Sequence, residues 1–178
     1  TQEAEDGALV GNFTTEPDAA ASGGRYIHTP NGSGDFWNGP NARQKAVYCF
    51  NVPYTGGYRI DGSVLGMDAL SDSFYIQVDD APTNGYLWDV KSGDSYTRDS
   101  VRDRNVADPV YVTLASGQHT VTVYAREDGT RLDTIQLVPT VPSEGARAIP
   151  ILAQGIHGTL RINATRLTQE IDFTQITV

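Results

Sequence analysis

Apolar and polar residues alternate along much of this sequence, which is the pattern of β-strands that bury one face. No window of twelve or more residues keeps the period of an amphipathic helix. Turn residues separate the alternating windows, as in Thr55-Gly56-Gly57 and Ala115-Ser116-Gly117. The windows cover residues 57–64, 73–79, 110–114, 119–125 and 132–138. Short strands with frequent turns predict an all-β fold, an antiparallel β-sandwich.

Two stretches without alternation predict long loops. Residues 30–44 are rich in Gly, Asn and Pro, and residues 91–108 are rich in Asp, Ser and Arg. Long loops on a rigid sandwich are where binding sites usually lie, although variation in surface loop length explains such segments as well.

A break after residue 138 divides the chain. Pro139, Pro142 and Gly145 are typical of a linker. We therefore expect a β-sandwich domain over residues 1–138, and a linker with a C-terminal β-strand extension over residues 139–178. Residues 158–164 and 171–178 alternate in this extension. They could form a hairpin on the sandwich, begin another domain, or donate a strand to a neighbouring subunit.

Composition narrows the possible partners. Hydrophobic residues make up 39% of the chain, which is enough for a core. The net charge of −9 repels phosphate backbones, so we expect no nucleic-acid partner, but it permits a divalent cation. No stretch approaches the length of a membrane span, so we expect no membrane insertion. The opening residues carry no signal peptide, which suggests a mature or excised fragment, and the sequons at Asn12, Asn31 and Asn163 weakly favour secretion.

Acidic residues stand at two informative positions. Glu3 and Glu5 would share one face of a strand, where their charges repel unless a cation lies between them. An exposed edge strand with solvated charges is the alternative. Asp133 interrupts an otherwise apolar strand, whereas the preceding Glu127-Asp128-Gly129 is also explained as a polar hairpin turn.

The only cysteine, Cys49, lies in the apolar run Ala46-Val47-Tyr48-Cys49-Phe50. A small buried hydrophobic side chain is the expected role of such a residue. No local pattern around the histidines indicates a partner base for a catalytic thiol.

Several segments together resemble carbohydrate-binding modules of families six and thirty-five. The opening Glu3-Ala4-Glu5-Asp6 is similar to the Glu-x-Glu start of these modules. Further matching segments follow in the same order over residues 2–138. They are Ser22-Gly23-Gly24-Arg25-Tyr26-Ile27, residues 47–58, residues 72–79, residues 114–121 and residues 126–135. Residues 139–178 have no recognised counterpart.

The resemblance implies a galactose-binding-like jelly-roll sandwich with a structural calcium ion. In such modules the two opening glutamates and an aspartate near the start of the last strand bind the metal, together with backbone oxygens of an early Gly-rich turn. The corresponding ligands here are Glu3, Glu5, Asp133 and the carbonyl of Arg25. Calcium takes six to eight oxygen ligands, which agrees with this set, and we expect the ion to serve stability.

The sugar site is expected on loops at one end of the sandwich. Aromatic rings stack on the apolar faces of sugars, and amides or carboxylates bind the hydroxyls. Trp37 and Trp88 are the candidate aromatic residues, although core packing is an equal explanation for Trp88. The polar candidates are Asn38, Glu127 and Asp128. Related modules often have Asn in the last loop, so the carboxylates here hint at a different or cationic sugar.

Three functions follow from these patterns. The first is a secreted, non-catalytic, calcium-stabilised module that binds a polysaccharide or cell-surface glycan. The second is a structural subunit of an extracellular filament or surface layer that self-associates through residues 146–178. The third is a glycosidase or lyase, since paired carboxylates can act on glycosidic bonds. The acidic pairs are assigned to the metal or to turns, and no nucleophile motif occurs, so we expect no enzyme activity.

Overall fold

The computed structural model describes residues 1–140, 160–164 and 167–171. Fourteen β-strands and two short 3-10 turns, Ala4–Asp6 and Ser22–Gly24, make up its regular structure. The strands are β1 Gln2–Glu3, β2 Ala8–Val10, β3 Thr14–Pro17, β4 Arg25–His28, β5 Lys45–Val52, β6 Gly56–Leu65, β7 Ser73–Val78, β8 Ala81–Asp89, β9 Thr97–Ser100, β10 Val112–Leu114, β11 Gly117–Ala125, β12 Arg131–Pro139, β13 Leu160–Ala164 and β14 Leu167–Ile171. The described residues contain no helix that could span a lipid bilayer.

Two antiparallel sheets form the sandwich, which confirms the predicted all-β fold. The first sheet has the order β10-β6-β12-β4-β3, with β1 paired to β12 and β9 paired to β6. The second sheet has the order β2-β5-β11-β7-β8. We call them the first and second sheets below. Apart from β3 with β4 and β7 with β8, the paired strands of the sandwich are not consecutive in the chain. The pairing of β12 with β1 joins the end of the domain to its start.

The core lies between the two sheets and follows the alternation of the sequence. On β6, Ile60 and Val64 are fully buried. Arg59, which directly precedes Ile60 in the strand, faces outward. On the second sheet, Ile76 and Val123 lie opposite one another and are also fully buried. Burial of each such side chain stabilises the fold by roughly 1.5–3 kcal/mol.

The C-terminal part forms a separate unit. The chain divides into Thr1–Ser143 and Glu144–Val178, and β12 continues through Pro139, which the sequence had placed in the linker. In the second unit β13 pairs with β14 as an antiparallel hairpin. β14 ends at Ile171, which is the first residue of the predicted strand at 171–178. Residues 172–178 lie outside the described residues, so that strand stays a prediction. Self-association through residues 146–178 stays a prediction.

Other differences have simple physical reasons. The predicted loop at 91–108 contains β9, whose polar sequence Thr-Arg-Asp-Ser carries no alternation but pairs with β6. The predicted strand at 110–114 begins only at Val112. Cys49 is exposed rather than buried, because its neighbour Tyr48 takes the core-facing position on β5.

A histidine between two acceptors links β11 to the turn after β7. His119 Nδ1 lies 2.5 Å from Asp79 Oδ2, and Nε2 lies 2.8 Å from the carbonyl oxygen of Ala115. Because both neighbours are acceptors, both ring nitrogens must carry a proton. The hydrogen bond with Asp79 and the one with Ala115 raise the pKa of His119, although partial burial opposes them.

We predict that His119 stabilises the fold below its raised pKa. This stability is complete below the unfolded-state pKa of about 6.5 and is lost as the pH rises through the folded-state pKa. The H119N variant should therefore be less stable than the parent by roughly 0.5–1 kcal/mol at pH 5.5, the range for partly exposed ion pairs. Urea denaturation between pH 5.5 and 9 measures the difference, which should shrink at high pH.

The control is H28N. Burial lowers the pKa of His28, so its effect on stability has the opposite pH dependence. A pH-independent cost of H119N would contradict the assigned role.

Candidate functional site

Trp37 lies at the surface, and its ring packs against the side chain of Arg126. Its side chain is 53% exposed, and the guanidinium carbon of Arg126 lies 4.4 Å from the ring centroid. Arg126 therefore covers one face of the indole and leaves the other towards solvent. The hydroxyl of Tyr75 donates to the Trp37 carbonyl (3.1 Å), and the Phe36 amide donates to the Arg126 carbonyl (2.7 Å). These bonds fix the backbone on which the ring is carried.

A cavity of about 380 Å³ opens beside the ring. Trp37 and Asn38, both predicted for the sugar site, line it together, and both are exposed. The remaining lining is Asp35, Phe36, Gly39, Pro40, Asn41 and Ala42. Gly85 lets this loop lie close to β8, because a Cβ at that position would approach Pro40 Cγ to 2.9 Å. The cavity thus combines one open aromatic face with amide and carboxylate groups.

A buried ion pair lies beneath Trp37. Arg126 Nη1 donates to Glu127 Oε1 (2.6 Å) and to Ser73 Oγ (2.5 Å). Glu127 Oε2 accepts from Ser73 Oγ (2.6 Å) and from the Asp72 amide (3.1 Å). Glu127 is only 4% exposed, so it supports the loop from inside and offers no surface to a ligand. Its prediction as a sugar ligand is corrected on this ground.

Asp128 also serves mainly to hold the loops together. Its Oδ2 accepts from the amides of Gly32 (2.8 Å) and Gly34 (2.9 Å). Its own amide donates to Asp35 Oδ1 (3.2 Å). Asp128 therefore fixes the loop of residues 30–44 to the β11–β12 turn. Its Oδ1 makes no hydrogen bond within the described part of the chain, so a ligand contact through this atom stays a prediction.

Trp88 belongs to the core. The side chain is 0% exposed, its ring packs against Phe74, and its Nε1 donates to Asp99 Oδ2 (3.0 Å). No face of the ring is available for a sugar, which corrects its prediction as a binding residue. The alternative of core packing is the one the structure adopts.

The predicted metal ligands approach a different place, the turn at Ser22–Gly24. Ser22 Oγ donates to Glu3 Oε1 (2.9 Å), and the Ser22 amide donates to Asp133 Oδ1 (2.8 Å). Gly23 has φ of +62°, and a Cβ there would lie 3.3 Å from Glu5 Oε1 and 3.7 Å from Glu3 Oε2. The glutamates do not share a strand face as predicted, since β1 ends at Glu3 and Glu5 lies in a 3-10 turn. They meet at Gly23 nevertheless.

Two carboxylate oxygens at this turn, Glu3 Oε2 and Glu5 Oε2, are buried and have no hydrogen-bond partner among the described residues. Burial and the nearby charge of Glu3 raise the pKa of Asp133. Hydrogen bonds with Ser63 and with the Ser22 amide lower this pKa, but the increase is larger. Arg25, whose carbonyl is the fourth predicted ligand, directly follows the turn. Within the described residues, no group of three or more His, Cys, Asp or Glu side chains has an arrangement that could hold a metal ion.

Sequence reasoning missed the residues beneath Trp37. Arg126, Ser73 and Asp72 are polar residues at strand ends, and nothing in their local sequence distinguishes them from solvated turn residues. The Arg126-Glu127 dipeptide next to a strand rich in buried residues was the available signal. Only the meeting of three segments in space makes it part of a site.

The fold has well-matched relatives among solved structures. A family 35 carbohydrate-binding module from Clostridium thermocellum is 24% identical, has a TM-score of 0.56, and the match covers 76% of this chain and 96% of that one. A GH26-CBM35 β-(1,4)-mannanase from Podospora anserina is 19% identical with a TM-score of 0.60, over 80% of this chain and 28% of that one. The C-terminal CBM6 of LamC from Zobellia galactanivorans is 18% identical with a TM-score of 0.53, over 76% and 94%. The chain therefore has the fold of family 35 and family 6 modules. No family model matches the sequence, and a search of curated proteins finds no match.

We predict that Asp72 makes stability depend on pH. Burial and the neighbouring Glu127 carboxylate raise the pKa of Asp72 to about 6. Although burial opposes it, hydrogen bonds from Ser73 and from the Asp72 amide hold the pKa of Glu127 below its ordinary value, so Asp72 is the partner that takes the proton. Its stabilising proton is fully bound near pH 4 and is lost as the pH rises through about 6.

The D72N variant, which keeps the shape without the charge, should equal the parent near pH 4 and melt at a higher temperature than the parent above pH 7. Thermal denaturation by circular dichroism at both values measures this. D94N, which removes one charge at an exposed position, is the control and should show no such divergence. Parallel melting curves for D72N and D94N would contradict the coupling.

Proposed function

We propose that this protein is an extracellular, non-catalytic carbohydrate-binding module that holds a polysaccharide or cell-surface glycan at the Trp37 cavity. The observation that carries the proposal is the indole of Trp37, 53% exposed, resting on the buried Arg126 beside a cavity of about 380 Å³. The fold shared with family 35 and family 6 modules supports it.

The chemistry of the cavity suits a sugar. Pyranose rings present C–H groups on one face, which stack on an aromatic ring, and hydroxyls around the edge. Asn38 and Asn41 supply amides that both donate and accept hydrogen bonds, and Asp35 supplies a carboxylate. Because Arg126 already fixes the ring, little side-chain entropy is lost on binding.

A catalytic role has less support from the same residues. Glu127 is buried and saturated with hydrogen bonds from Arg126, Ser73 and the Asp72 amide. A general acid or base must reach the substrate, so this carboxylate has no access to a glycosidic bond.

We further propose that calcium binds at the Ser22–Gly24 turn. The support is the pair of buried oxygens of Glu3 and Glu5 that have no hydrogen-bond partner among the described residues, since such a buried carboxylate oxygen is costly. Carboxylates and backbone carbonyls are the oxygen ligands that calcium prefers. Because no three acidic side chains in the described part of the chain are already arranged around a metal position, Asp133 and the Arg25 carbonyl, which adjoin the turn, would move towards the two glutamates when the ion binds. The ion would offset the repulsion among the carboxylates and hold the first strand to the last.

The test of the sugar site is the W37A variant. Trp37 is the central aromatic contact, so its loss should weaken binding by about 30-fold, equivalent to about 2 kcal/mol. A glycan array identifies the ligand, and calorimetry compares the parent with W37A. M67A, which removes another exposed hydrophobic side chain, is the control and should bind normally.

Unchanged binding in W37A would place the sugar elsewhere. If the folded parent protein binds no glycan on a broad array, the proposed carbohydrate-binding function itself is wrong.

The test of the metal is thermal stability in calcium and in chelator. At a calcium concentration of 100 times the Kd, binding should stabilise the folded state by about 2.7 kcal/mol. The E3Q and E5Q variants should lose most of this calcium-dependent gain, whereas D94N should keep it. Identical melting temperatures of the parent in calcium and in chelator would contradict the proposal.

A further inference from the structure

The sequence contains three Asn-Gly pairs, at residues 31–32, 38–39 and 84–85. Asparagine is among the chemically labile residues. The backbone nitrogen of the following residue can attack its side-chain amide, and glycine in that place obstructs the attack least because it has no Cβ. Each pair is therefore a possible site of spontaneous modification, and the surrounding structure decides which of them reacts.

The pair Asn31-Gly32 is restrained at both reacting groups. The Gly32 amide donates to Asp128 Oδ2 (2.8 Å). A nitrogen that donates to a carboxylate loses its proton with difficulty, because the negative charge left behind would face another negative charge. Asn31 Oδ1 lies so close to Gly129 that a Cβ there would approach it to 2.2 Å. The fold therefore protects this pair.

The pair Asn84-Gly85 lies inside a strand. Both residues belong to β8, which pairs with β7. A Cβ on Gly85 would lie 2.9 Å from Pro40 Cγ and 3.0 Å from Tyr75 Cβ, so the backbone here is tightly packed. Attack on the asparagine side chain requires the backbone between the two residues to rotate, and close packing opposes that rotation.

The pair Asn38-Gly39 has neither restraint. It lies in the turn that includes Trp37, and Asn38 is exposed. Within the described part of the chain, neither the Gly39 amide nor the Asn38 side chain makes a hydrogen bond. The nearest atom to a Cβ built on Gly39 is the Asn84 carbonyl oxygen, at 3.8 Å, which is an ordinary contact distance. The Gly39 nitrogen and the Asn38 amide carbon are thus free to approach each other.

The turn is fixed on both sides of this pair. The Tyr75 hydroxyl donates to the Trp37 carbonyl (3.1 Å), and Pro40 packs closely against Gly85. Only two residues connect these fixed points. A reaction that lengthens the backbone between them must displace Trp37 or Pro40.

We propose that Asn38 is a site of spontaneous deamidation and that its isoaspartate product displaces Trp37 from Arg126. The Gly39 nitrogen forms a bond to Asn38 Cγ, the Cγ–Nδ2 bond breaks, and ammonia leaves with the proton of the Gly39 amide. Water then opens the resulting succinimide ring at either carbonyl and yields aspartate or isoaspartate at position 38, without oxidation or reduction. Isoaspartate places one extra carbon in the backbone, which adds roughly 1.5 Å of chain.

The modification also changes the chemistry of the cavity. An amide donates and accepts hydrogen bonds, whereas the carboxylate that replaces it only accepts them. The new charge enters a cavity that already contains the carboxylate of Asp35. Weaker sugar binding by the modified protein is the one consequence that rests on the proposed function. The reaction and the displacement of Trp37 do not rest on it.

The first experiment compares the three pairs within one protein. The full chain is incubated at mildly alkaline pH and digested, and mass spectrometry separates the asparagine, aspartate and isoaspartate peptides. In the folded protein Asn38 should react faster than Asn31 and Asn84 by about ten-fold or more, and a ten-fold ratio corresponds to about 1.4 kcal/mol in the barrier. In concentrated urea the three rates should converge, because the protection comes from the fold.

The second experiment follows Trp37 by acrylamide quenching of tryptophan fluorescence. Trp88 is 0% exposed and is shielded from the quencher, so the change in quenching reports Trp37. Chromatography isolates the isoaspartate form, and thermal melting verifies that it is folded. Its quenching constant should rise by about half, because the ring face covered by Arg126 becomes accessible.

Two variants at position 38 are the matched controls. N38D carries the new charge without the extra backbone carbon and should show the quenching of the parent. N38Q keeps an amide whose longer side chain closes a ring far more slowly, so it should change neither in mass nor in quenching on incubation.

Several outcomes would overturn the proposal. They are no reaction at Asn38, equal rates at the three positions of the folded protein, or a faster reaction at Asn31 or Asn84. Aspartate without isoaspartate would exclude the succinimide route, and unchanged quenching of the isoaspartate form would exclude the displacement of Trp37. If both changes occur and the isoaspartate form still binds glycan as the parent does, the result counts against the Trp37 sugar site alone.

Discussion

The buried ion pair of Arg126 and Glu127 holds together the segments that form the candidate sugar site. Glu127 accepts hydrogen bonds from the Asp72 amide and from the Ser73 hydroxyl at the start of β7. The guanidinium of Arg126 lies against the ring of Trp37. Both charges are withdrawn from water, and the loss of either partner would leave the other uncompensated, at a cost of about 3–5 kcal/mol. Because Arg126 also lies against the indole of Trp37, the candidate binding surface rests on a buried ion pair that is itself almost completely shielded from solvent.

Three clusters of the sandwich contain buried carboxylates, and they differ in whether every carboxylate oxygen has a hydrogen-bond donor. Glu127 and Asp61 each have arginine and hydroxyl donors, and both are therefore satisfied as they stand. Glu3 and Glu5 each have a buried oxygen that accepts no hydrogen bond from the described part of the chain. The first two clusters are complete structural units that shape a surface, whereas the carboxylates at the Ser22–Gly24 turn are the ones for which we propose a calcium ion. Each cluster uses carboxylates, and only their partners distinguish the roles.

Sequence reasoning succeeded where alternation was long and failed where it was short or hidden. β6, β7, β11 and β12 each combine regular alternation with clear turns, so their positions followed from the pattern. β8 begins with Ala-Pro-Thr-Asn-Gly, and β9 is wholly polar, so neither has a periodic signal. β8 and β9 are strands because they form cross-strand hydrogen bonds with β7 and β6. A short window of sequence does not reveal which strand a segment will pair with.

The sequence by itself determined the all-β class, the main strands and the resemblance that points to sugar binding, because periodicity and turn chemistry are local. Only the tertiary structure decided which polar and aromatic residues are exposed. Trp37 and Trp88 both stand between an apolar and a polar neighbour, yet one lies on Arg126 at the surface and the other lies in the core against Phe74. The physical reason is that burial depends on which face of a distant strand a side chain meets, and that is fixed by sheet pairing rather than by neighbours in the chain.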